Sequence, residues 1–282
     1  MLQPHLKREE YDRLEPSLEG VQVIMAQSQS WADEIAAQLH EDMPWMGPAT
    51  EYVWHALRRS AQRGEPVLIR PVILNGPPGI GKSVWARSLA AALEIPYADV
   101  DATKGGAGMA LVGVERGWGT AQAGRPLEVM LAKRLANPLI LVDEVCKAKS
   151  VTSTRGTSYS FADALLSLLE PATAKAWDCP YFRVRFDMSH ISWVLTSNNV
   201  ENVSEPVRSR CQVIEIPDVT TAQLQEFALK NGLRLELLEA AVDAVVLAVD
   251  QAPVVTGRRL SLRDVVRMLE RAEMLEGRPR LH

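Results

Sequence analysis

The 282-residue sequence has few cysteines, few aromatic residues and no long apolar run. Its three cysteines, Cys146, Cys179 and Cys211, are scattered, so they provide neither a disulfide framework nor the ligand spacing of a metal site. No stretch approaches the ~18 uninterrupted apolar residues of a membrane-spanning helix, and the charged N-terminal residues do not resemble a signal peptide. These absences predict a reduced, cytoplasmic protein.

An excess of positive charge is also missing. The formal net charge is −4, the isoelectric point is near 5.8, and no basic stripe is interleaved with aromatic residues. Single-strand channels and other nucleic-acid surfaces use such stripes, so the charge argues against a nucleic-acid partner, although a local basic groove stays possible. With 47% hydrophobic and 23% charged residues, the composition suits a globular protein of about two domains.

The order of helical and strand-like patterns divides the chain into three parts. Residues 1–65 form a mainly helical N-terminal segment, residues 66–217 alternate between strand and helix patterns, and residues 218–282 are helical throughout. Alternation of this kind predicts an α/β domain with a parallel sheet, followed here by a small all-helical domain. We predict strands at 71–75, 97–101, 138–143, 191–197 and 212–216, and C-terminal helices at 220–230, 234–249 and 262–275.

Two helices are predicted in the N-terminal segment. Ser30-Trp31-Ala32-Asp33 has the residues of a capping box, and Trp31, Ile35 and Leu39 recur at a spacing of four, on one helix face. The second helix is predicted from Glu51 to Gln62.

The stretch GPPGIGKS, Gly76 to Ser83, follows an apolar run and precedes a helical pattern. Its spacing is G-x-x-x-x-G-K-[ST], the phosphate-binding loop, in the strand–loop–helix setting that supports this motif. The glycines let backbone N–H groups point at phosphates, and the helix presents its positive end. We expect Lys82 to contact the β- and γ-phosphates and Ser83 to bind Mg²⁺. The predicted nucleotide-binding residues are Gly76, Pro77, Pro78, Gly79, Ile80, Gly81, Lys82, Ser83 and Val84.

A second motif is PLILVDEV, Pro138 to Val145. Its apolar residues form a buried strand with Asp143 and Glu144 at the carboxyl end, where doubly wound sheets bind ligands. Asp143 suits Mg²⁺ coordination, partly through water, and Glu144 suits activation of the water that attacks the γ-phosphate. Alone, the octapeptide fits a solvated acidic turn, but beside the phosphate-binding loop it predicts a hydrolase that uses ATP and Mg²⁺.

Four longer stretches resemble the AAA+ ATPases and, among them, the ATPase module of Lon-type proteases. They are GGAGMALVGVERGWGTAQAGR (Gly105–Arg125), ALLSLLEP (Ala164–Pro171), YFRVRFDMSHISWVLTSNN (Tyr181–Asn199) and the overlapping ISWVLTSNNVENVSEPVRSRCQVIEI (Ile191–Ile216). The likeness covers roughly residues 45–275. It implies an αβα sandwich with strand order 5-1-4-3-2, a helical lid, and assembly into a ring-shaped homo-oligomer, expected to be a hexamer, that acts on a protein client.

The same resemblance assigns two further residues. Asn198 takes the sensor-1 position, which contacts the attacking water or the γ-phosphate; alternatively, it caps the next turn. Arg210 takes the position of an arginine finger that contacts the γ-phosphate of a neighbouring subunit, and Arg208 is the rival for this role.

Arg263 is singled out both by the resemblance and by helix electrostatics. Ser261 is the predicted N-cap of the last helix and Asp264 its N3 residue, so Arg263 lies in the first turn, where a cation is mildly unfavourable. An unfavourable charge at such a position suggests a functional site, because a bound γ-phosphate would compensate the positive charge. By the resemblance, the position also matches the AAA+ sensor-2 arginine. The predicted core face of this helix is Leu262, Val265, Val266 and Leu269.

Seven of the 17 glycines lie between Gly105 and Gly124, around Trp118. An aromatic ring on a glycine-flanked loop suits non-specific contact with an extended polypeptide. In Lon, an aromatic and then an aliphatic residue fill this place in the pore loop, whereas Gly119 follows here. The competing interpretation is a tryptophan buried beneath the loop.

The sequence after the predicted lid contains no counterpart of the Lon peptidase domain, so we expect a motor that remodels or unfolds a protein partner without protease activity. Two other classes stay open. One is a loader of DNA clamps or helicases, since Ser209-Arg210-Cys211 also resembles the clamp-loader motif. The other is a nucleotide-operated switch that assembles and disassembles without threading a polymer.

Overall fold

The computed structural model describes residues 6–116, 121–148, 151–152, 158–256 and 260–276. The chain packs as two compact units, Met1–Asn75 with Ser83–Glu215, and Gly76–Lys82 with Ile216–His282. The three-part division at residues 65 and 217 stays a prediction. Within the described ranges, every helix is too short or too polar to cross a lipid bilayer.

Five parallel strands form the central sheet of the first unit. They are β1 Val72–Asn75, β2 Tyr97–Asp101, β3 Leu139–Asp143, β4 Ser192–Ser197 and β5 Gln212–Glu215. Their order across the sheet is β2-β3-β4-β1-β5, which confirms the α/β class and the expected order 5-1-4-3-2. β4 is buried at every position, and β3 at all but Asp143, as in a parallel sheet covered on both faces.

Twelve α-helices are found among the described residues. They are α1 Arg8–Leu14, α2 Gln29–Asp42, α3 Gly47–Arg63, α4 Lys82–Ala92, α5 Ala107–Val112, α6 Arg125–Lys133, α7 Phe161–Leu169, α8 Pro171–Ala174, α9 Glu205–Arg208, α10 Thr221–Arg234, α11 Glu239–Thr256 and α12 Leu262–Glu276. Short 3₁₀ turns lie at Glu15–Ser17, Pro44–Met46, Val145–Lys147 and Val200–Asn202. Two short antiparallel ladders pair Val151–Thr152 with Ser158–Tyr159 and Trp177–Asp178 with Arg185–Phe186.

The start of α2 corrects one prediction. The helix begins at Gln29, and its N-cap is Ser28, whose hydroxyl accepts the Trp31 N–H at 3.0 Å. The predicted cap at Ser30 was wrong because Ser28 has the extended backbone that a cap requires, with Ser30 already in the first turn. α3 is also longer than predicted. It ends at Arg63, and the C-cap residue Gly64 has φ +62°, a left-handed conformation that favours glycine at a helix end.

The predicted cap of α12 is confirmed. The N–H and hydroxyl of Ser261 both donate to Asp264 Oδ2 at 2.9 Å, and the Asp264 N–H donates back to Ser261 Oγ at 3.4 Å. Leu262, Val265 and Leu269 are buried as predicted, but Val266 is 39% exposed. Positions 262, 265 and 269 share one face at 3.6 residues per turn, and Val266 falls at its edge.

Candidate active site

The predicted phosphate-binding loop is the turn between β1 and α4. Gly79 and Gly81 have φ of +80° and +88°, a backbone region that favours glycine. A Cβ on Gly76 would lie 2.6 Å from the Ile216 carbonyl oxygen, so no side chain fits there. Each glycine of the motif is therefore required by the conformation or the close packing of the loop.

Lys82 is the first residue of α4, and it is 7% exposed. Its ammonium donates to the carbonyl oxygens of Gly76 at 2.6 Å and Pro77 at 2.8 Å. A phosphate oxygen is a charged acceptor and forms a stronger bond than a neutral carbonyl does. The loop therefore fits the phosphates of a nucleotide. Of the other predicted loop residues, Ile80 is buried, whereas Pro78 and Val84 are exposed.

The two predicted Mg²⁺ ligands lie together. The Ser83 hydroxyl, in the first turn of α4, donates to Asp143 Oδ1 at 3.0 Å, across 60 residues of sequence. The hydroxyl of Thr196, on the neighbouring strand β4, donates to the same carboxylate oxygen. Mg²⁺ prefers oxygen ligands and is commonly bound through one or two carboxylates plus substrate phosphates, so this pair fits the ion.

Glu144 has an unusual backbone conformation. Its φ is +57° and its ψ is +41°, a left-handed region that costs a non-glycine residue about 1 kcal/mol or more. Its N–H donates to Thr196 Oγ1 at 2.9 Å. Its carboxylate accepts a hydrogen bond from Lys147 at 2.9 Å, and this bond raises the pKa of Lys147. The acidic pair is thus followed by a sharp turn, with Glu144 paired to a lysine of its own chain.

Asn198 lies just beyond the end of β4, against the turn that follows Glu144. Its N–H donates to the Cys146 sulfur at 3.5 Å. Burial raises the pKa of the Cys146 thiol, but hydrogen bonds from the Asn198 N–H, the Ser197 hydroxyl and the Asn199 N–H lower it below its usual value. This contact brings the predicted sensor-1 residue to the residues that follow the acidic pair, and its role stays a prediction.

Both candidate finger arginines are bonded to carboxylates of their own chain. Arg210 Nε donates to Glu170 Oε2 at 2.9 Å, and Arg210 Nη1 donates to the Pro206 carbonyl at 3.0 Å. Arg208 Nη1 donates to Glu201 Oε2 at 2.9 Å. The two side chains are similarly exposed, at 37% and 30%, so the choice between them stays a prediction.

Arg263 lies where the phosphate-binding loop meets the start of α12, and both elements belong to the second unit. A Cβ on Gly79 would be 3.1 Å from Ser261 Cβ and 4.0 Å from Arg263 Cδ. The first turn of α12 therefore packs directly on the loop, and Arg263 is exposed beside it. The role of Arg263 toward a terminal phosphate stays a prediction.

Trp118 lies in 117–120, outside the described residues, so its place in a pore loop stays a prediction. The described residues on either side approach each other: the Val114 N–H donates to the Gln122 carbonyl at 2.8 Å.

Sequence reasoning assigned no role to Thr196, Cys146 or Lys147. Thr196 could have been noticed as a hydroxyl residue near the carboxyl end of a predicted strand. That this strand lies beside β3, however, is known only from the order of the strands in the sheet.

The comparisons with known proteins agree with this geometry. Residues 72–218, just over half of the chain, match the family described as "ATPase family associated with various cellular activities (AAA)". The chain is also similar to proteins named "Lon protease": it is 31% identical over 211 residues to that of Heliobacterium modesticaldum, covering 73% of this chain and 25% of the relative. With that of Methanosphaera stadtmanae it shares 29% identity over 179 residues, covering 60% and 21%.

A third relative, "Lon protease homolog 2, peroxisomal" of Zea mays, is 29% identical over 197 residues, covering 70% of this chain and 22% of the relative. The chain thus spans about a fifth to a quarter of the length of the curated relatives it matches. These matches cover the AAA region, as the resemblance to the Lon ATPase module predicted. The phosphate-binding loop, the acidic pair and the family match lead to one conclusion: the chain belongs to the AAA family of ATPases and is an ATP hydrolase.

Proposed function

We propose that this chain hydrolyses Mg-ATP and couples the turnover to remodelling or unfolding of a protein partner, without itself cleaving peptide bonds. The observation that carries the hydrolysis is the cluster of Ser83, Asp143 and Thr196, with Glu144 directly after Asp143 at the carboxyl edge of the sheet. The protein client is supported by the similarity to Lon proteases, which extends over 60–73% of the chain.

Each residue of the site has a proposed task. Lys82 binds the β- and γ-phosphates, and Arg263 contacts the γ-phosphate from the start of α12. Ser83 and Asp143 hold Mg²⁺, which, when bound, neutralises charge that develops on the phosphate oxygens. Glu144 accepts a proton from the attacking water, and Asn198, beyond the end of β4, orients that water.

The ring is also part of the proposal. Arg210 of one chain would stabilise the charge that develops at the γ-phosphate of the next chain, so that the active unit is a homo-oligomeric ring, with six members as the expected number. Trp118 would lie on the loop that contacts the polypeptide in the ring.

The test is ATP turnover in the presence of different polymers. An unfolded protein should raise the turnover of the wild-type chain several-fold, whereas single-stranded DNA should not, and Lys82→Ala measures any contaminating ATPase. Stimulation by DNA alone would favour a clamp or helicase loader. ATP binding with no stimulation by either polymer would favour an assembly switch.

Proteolysis is tested separately. The purified chain should leave a casein-like protein intact with or without ATP. Cleavage that depends on ATP and disappears in Lys82→Ala would contradict this part of the proposal.

A further inference from the structure

Thr196 contacts both members of the acidic pair with one hydroxyl. It is 2% exposed, on the central strand β4. Its Oγ1 donates to Asp143 Oδ1 and accepts the Glu144 N–H at 2.9 Å. A hydroxyl has one proton and can accept two bonds, so these two contacts use it as donor and acceptor at the same time.

The contact with Glu144 supports a strained turn. The left-handed backbone of Glu144 persists only where the surroundings determine it, and the bond to Thr196 anchors the N–H at this point. Without the Thr196 hydroxyl, the partly buried Glu144 N–H would lose its acceptor. An unpaired N–H in a protein interior lowers the free energy of unfolding. The turn would then relax and change the direction in which the Glu144 side chain leaves the backbone.

The contact with Asp143 restricts a carboxylate. Oδ1 accepts from both Thr196 and Ser83, so the side chain is oriented by hydroxyls from β4 and from α4. A carboxylate oriented in advance loses less freedom when it takes part in Mg²⁺ binding.

We propose that Thr196 is a positioning residue for ATP hydrolysis. Its hydroxyl fixes the turn at residues 143–144, so that Asp143 is oriented for Mg²⁺ and Glu144 is aimed at the attacking water. This inference rests on the roles proposed above for Asp143 and Glu144.

The same strand offers a matched control. Ser192, at the other end of β4, is fully buried, and its Oγ accepts the Ile69 N–H at 3.0 Å. Ser192→Ala therefore also removes a buried hydroxyl that binds a backbone N–H, but away from the acidic pair. If Thr196 served only the packing of the strand, substitutions at Thr196 and Ser192 should have similar effects on kcat.

The experiment compares Thr196→Val, Thr196→Ser and Ser192→Ala by kcat, nucleotide affinity and thermal midpoint. Valine keeps the shape and removes the hydroxyl, so kcat should fall about tenfold or more, part of the 10²–10⁴-fold that a general base contributes. At saturating Mg²⁺, ATP affinity should change by less than about threefold. Serine keeps the hydroxyl and should retain most of the activity. Ser192→Ala should retain kcat even where its thermal midpoint falls.

A second readout follows Asp143 without hydrolysis. In a Glu144→Gln background, Thr196→Val should raise the Mg²⁺ concentration for half-maximal ATP binding, and Ser192→Ala should not. If Thr196→Val does not fold, Thr196→Ala takes its place in both measurements.

Wild-type kcat and Mg²⁺ dependence in the valine variant would overturn the inference, as would an equal loss of kcat in Ser192→Ala. Failure of the proposed function looks different, because the wild-type chain itself would then lack turnover stimulated by unfolded protein.

Discussion

Lys82 is proposed to bind ATP and Glu144 to assist its hydrolysis, so variants of the two residues should differ in which of these steps they lose. Lys82→Ala removes the ammonium that lies within bonding distance of two loop carbonyls. A hydrogen bond to a charged group contributes about 1.5–3 kcal/mol, so ATP affinity should fall about 10- to 100-fold. Glu144→Gln keeps the shape of the site but removes the base, so it should bind ATP normally and hydrolyse it poorly.

Titration with a fluorescent nucleotide and a phosphate-release assay separate these two outcomes. Lys175→Ala, which changes an exposed lysine, is the matched control and should behave as wild type. Equal nucleotide affinity in wild type and Lys82→Ala would contradict the assignment of the loop.

Trp118→Ala tests the predicted polypeptide-binding loop. Removal of the ring should leave ATP binding intact and abolish the stimulation of turnover by unfolded protein, because the ring would provide the apolar contact. Thermal unfolding is the accompanying measurement. A loss of about 3–5 kcal/mol, typical of truncating a buried tryptophan, would support the alternative of a core residue.

The cysteines should react with iodoacetamide at different rates. Hydrogen bonds from the Asn198 N–H and its neighbours bring the pKa of the Cys146 thiol below its usual value despite burial, whereas burial raises the pKa of Cys179, and that of Cys211 to about 12. Only the thiolate is the nucleophile, so at a given pH a larger fraction of Cys146 is reactive. Peptide mapping after brief alkylation near pH 7 should find Cys146 modified first; earlier modification of Cys211 would contradict this.

At the scale of elements, helix α1 forms ion pairs with Arg116 and with helix α6. Glu10 of α1 forms an ion pair with Arg116 at 2.6 Å, and the two side chains are only 8% and 18% exposed. Arg13 of α1 pairs with Glu128 of α6 at 2.5 Å, and Leu14 lies in the hydrophobic core that contains residues of β3 and β4. The N-terminal helix is therefore part of the packing of the first unit.

Glu10→Gln should destabilise this unit. Loss of one partner of a buried ion pair leaves the other charge poorly compensated and costs up to about 3–5 kcal/mol. Urea unfolding followed by circular dichroism measures the change. The matched control is Asp178→Asn, which breaks an exposed pair with Arg185 and should have little effect; equal losses in the two variants would contradict the importance of burial.

At the scale of the whole molecule, the finger arginine separates a ring-forming motor from a monomeric switch. Fingers of this kind contribute about 10³–10⁵ in rate in related phosphoryl-transfer systems. Arg210→Ala should therefore bind ATP nearly normally and hydrolyse it poorly. Specific activity of the wild type should rise with protein concentration as chains assemble. Within one chain Arg210 is bonded to Glu170, so a neighbour's phosphate would have to replace this carboxylate.

Mixing variants tests whether the arginine acts between chains. Arg210→Ala has an intact phosphate-binding loop and Lys82→Ala has an intact arginine, so the mixture should regain part of the turnover. Arg208→Ala in the same assay decides between the two candidate arginines. Constant activity per chain on dilution, with no recovery on mixing, would show that the arginine does not act on a neighbour.

The phosphate-binding loop, the strands of the central sheet and the cap of α12 could be predicted from the sequence alone, because each has a local sequence signal. The glycines of GPPGIGKS, the strand patterns of the five predicted strands and the cap formed by Ser261 and Asp264 each depend on residues within a few positions of one another. The predicted strands consequently match the observed ones to within one residue at each end. The sheet order followed from the resemblance to a family and from no local signal.

Only the tertiary structure decided which residues meet. Thr196 is 53 residues from Asp143 in sequence, and it contacts the acidic pair because β4 lies beside β3 in the sheet. Arg210 and Glu170 are 40 residues apart, and their pairing likewise has no periodic signal. Periodicity indicates which face of an element is buried. Strand order and register decide which polar groups lie next to each other in the sheet. The hydroxyl of Thr196 is part of the site because β4 pairs with β3.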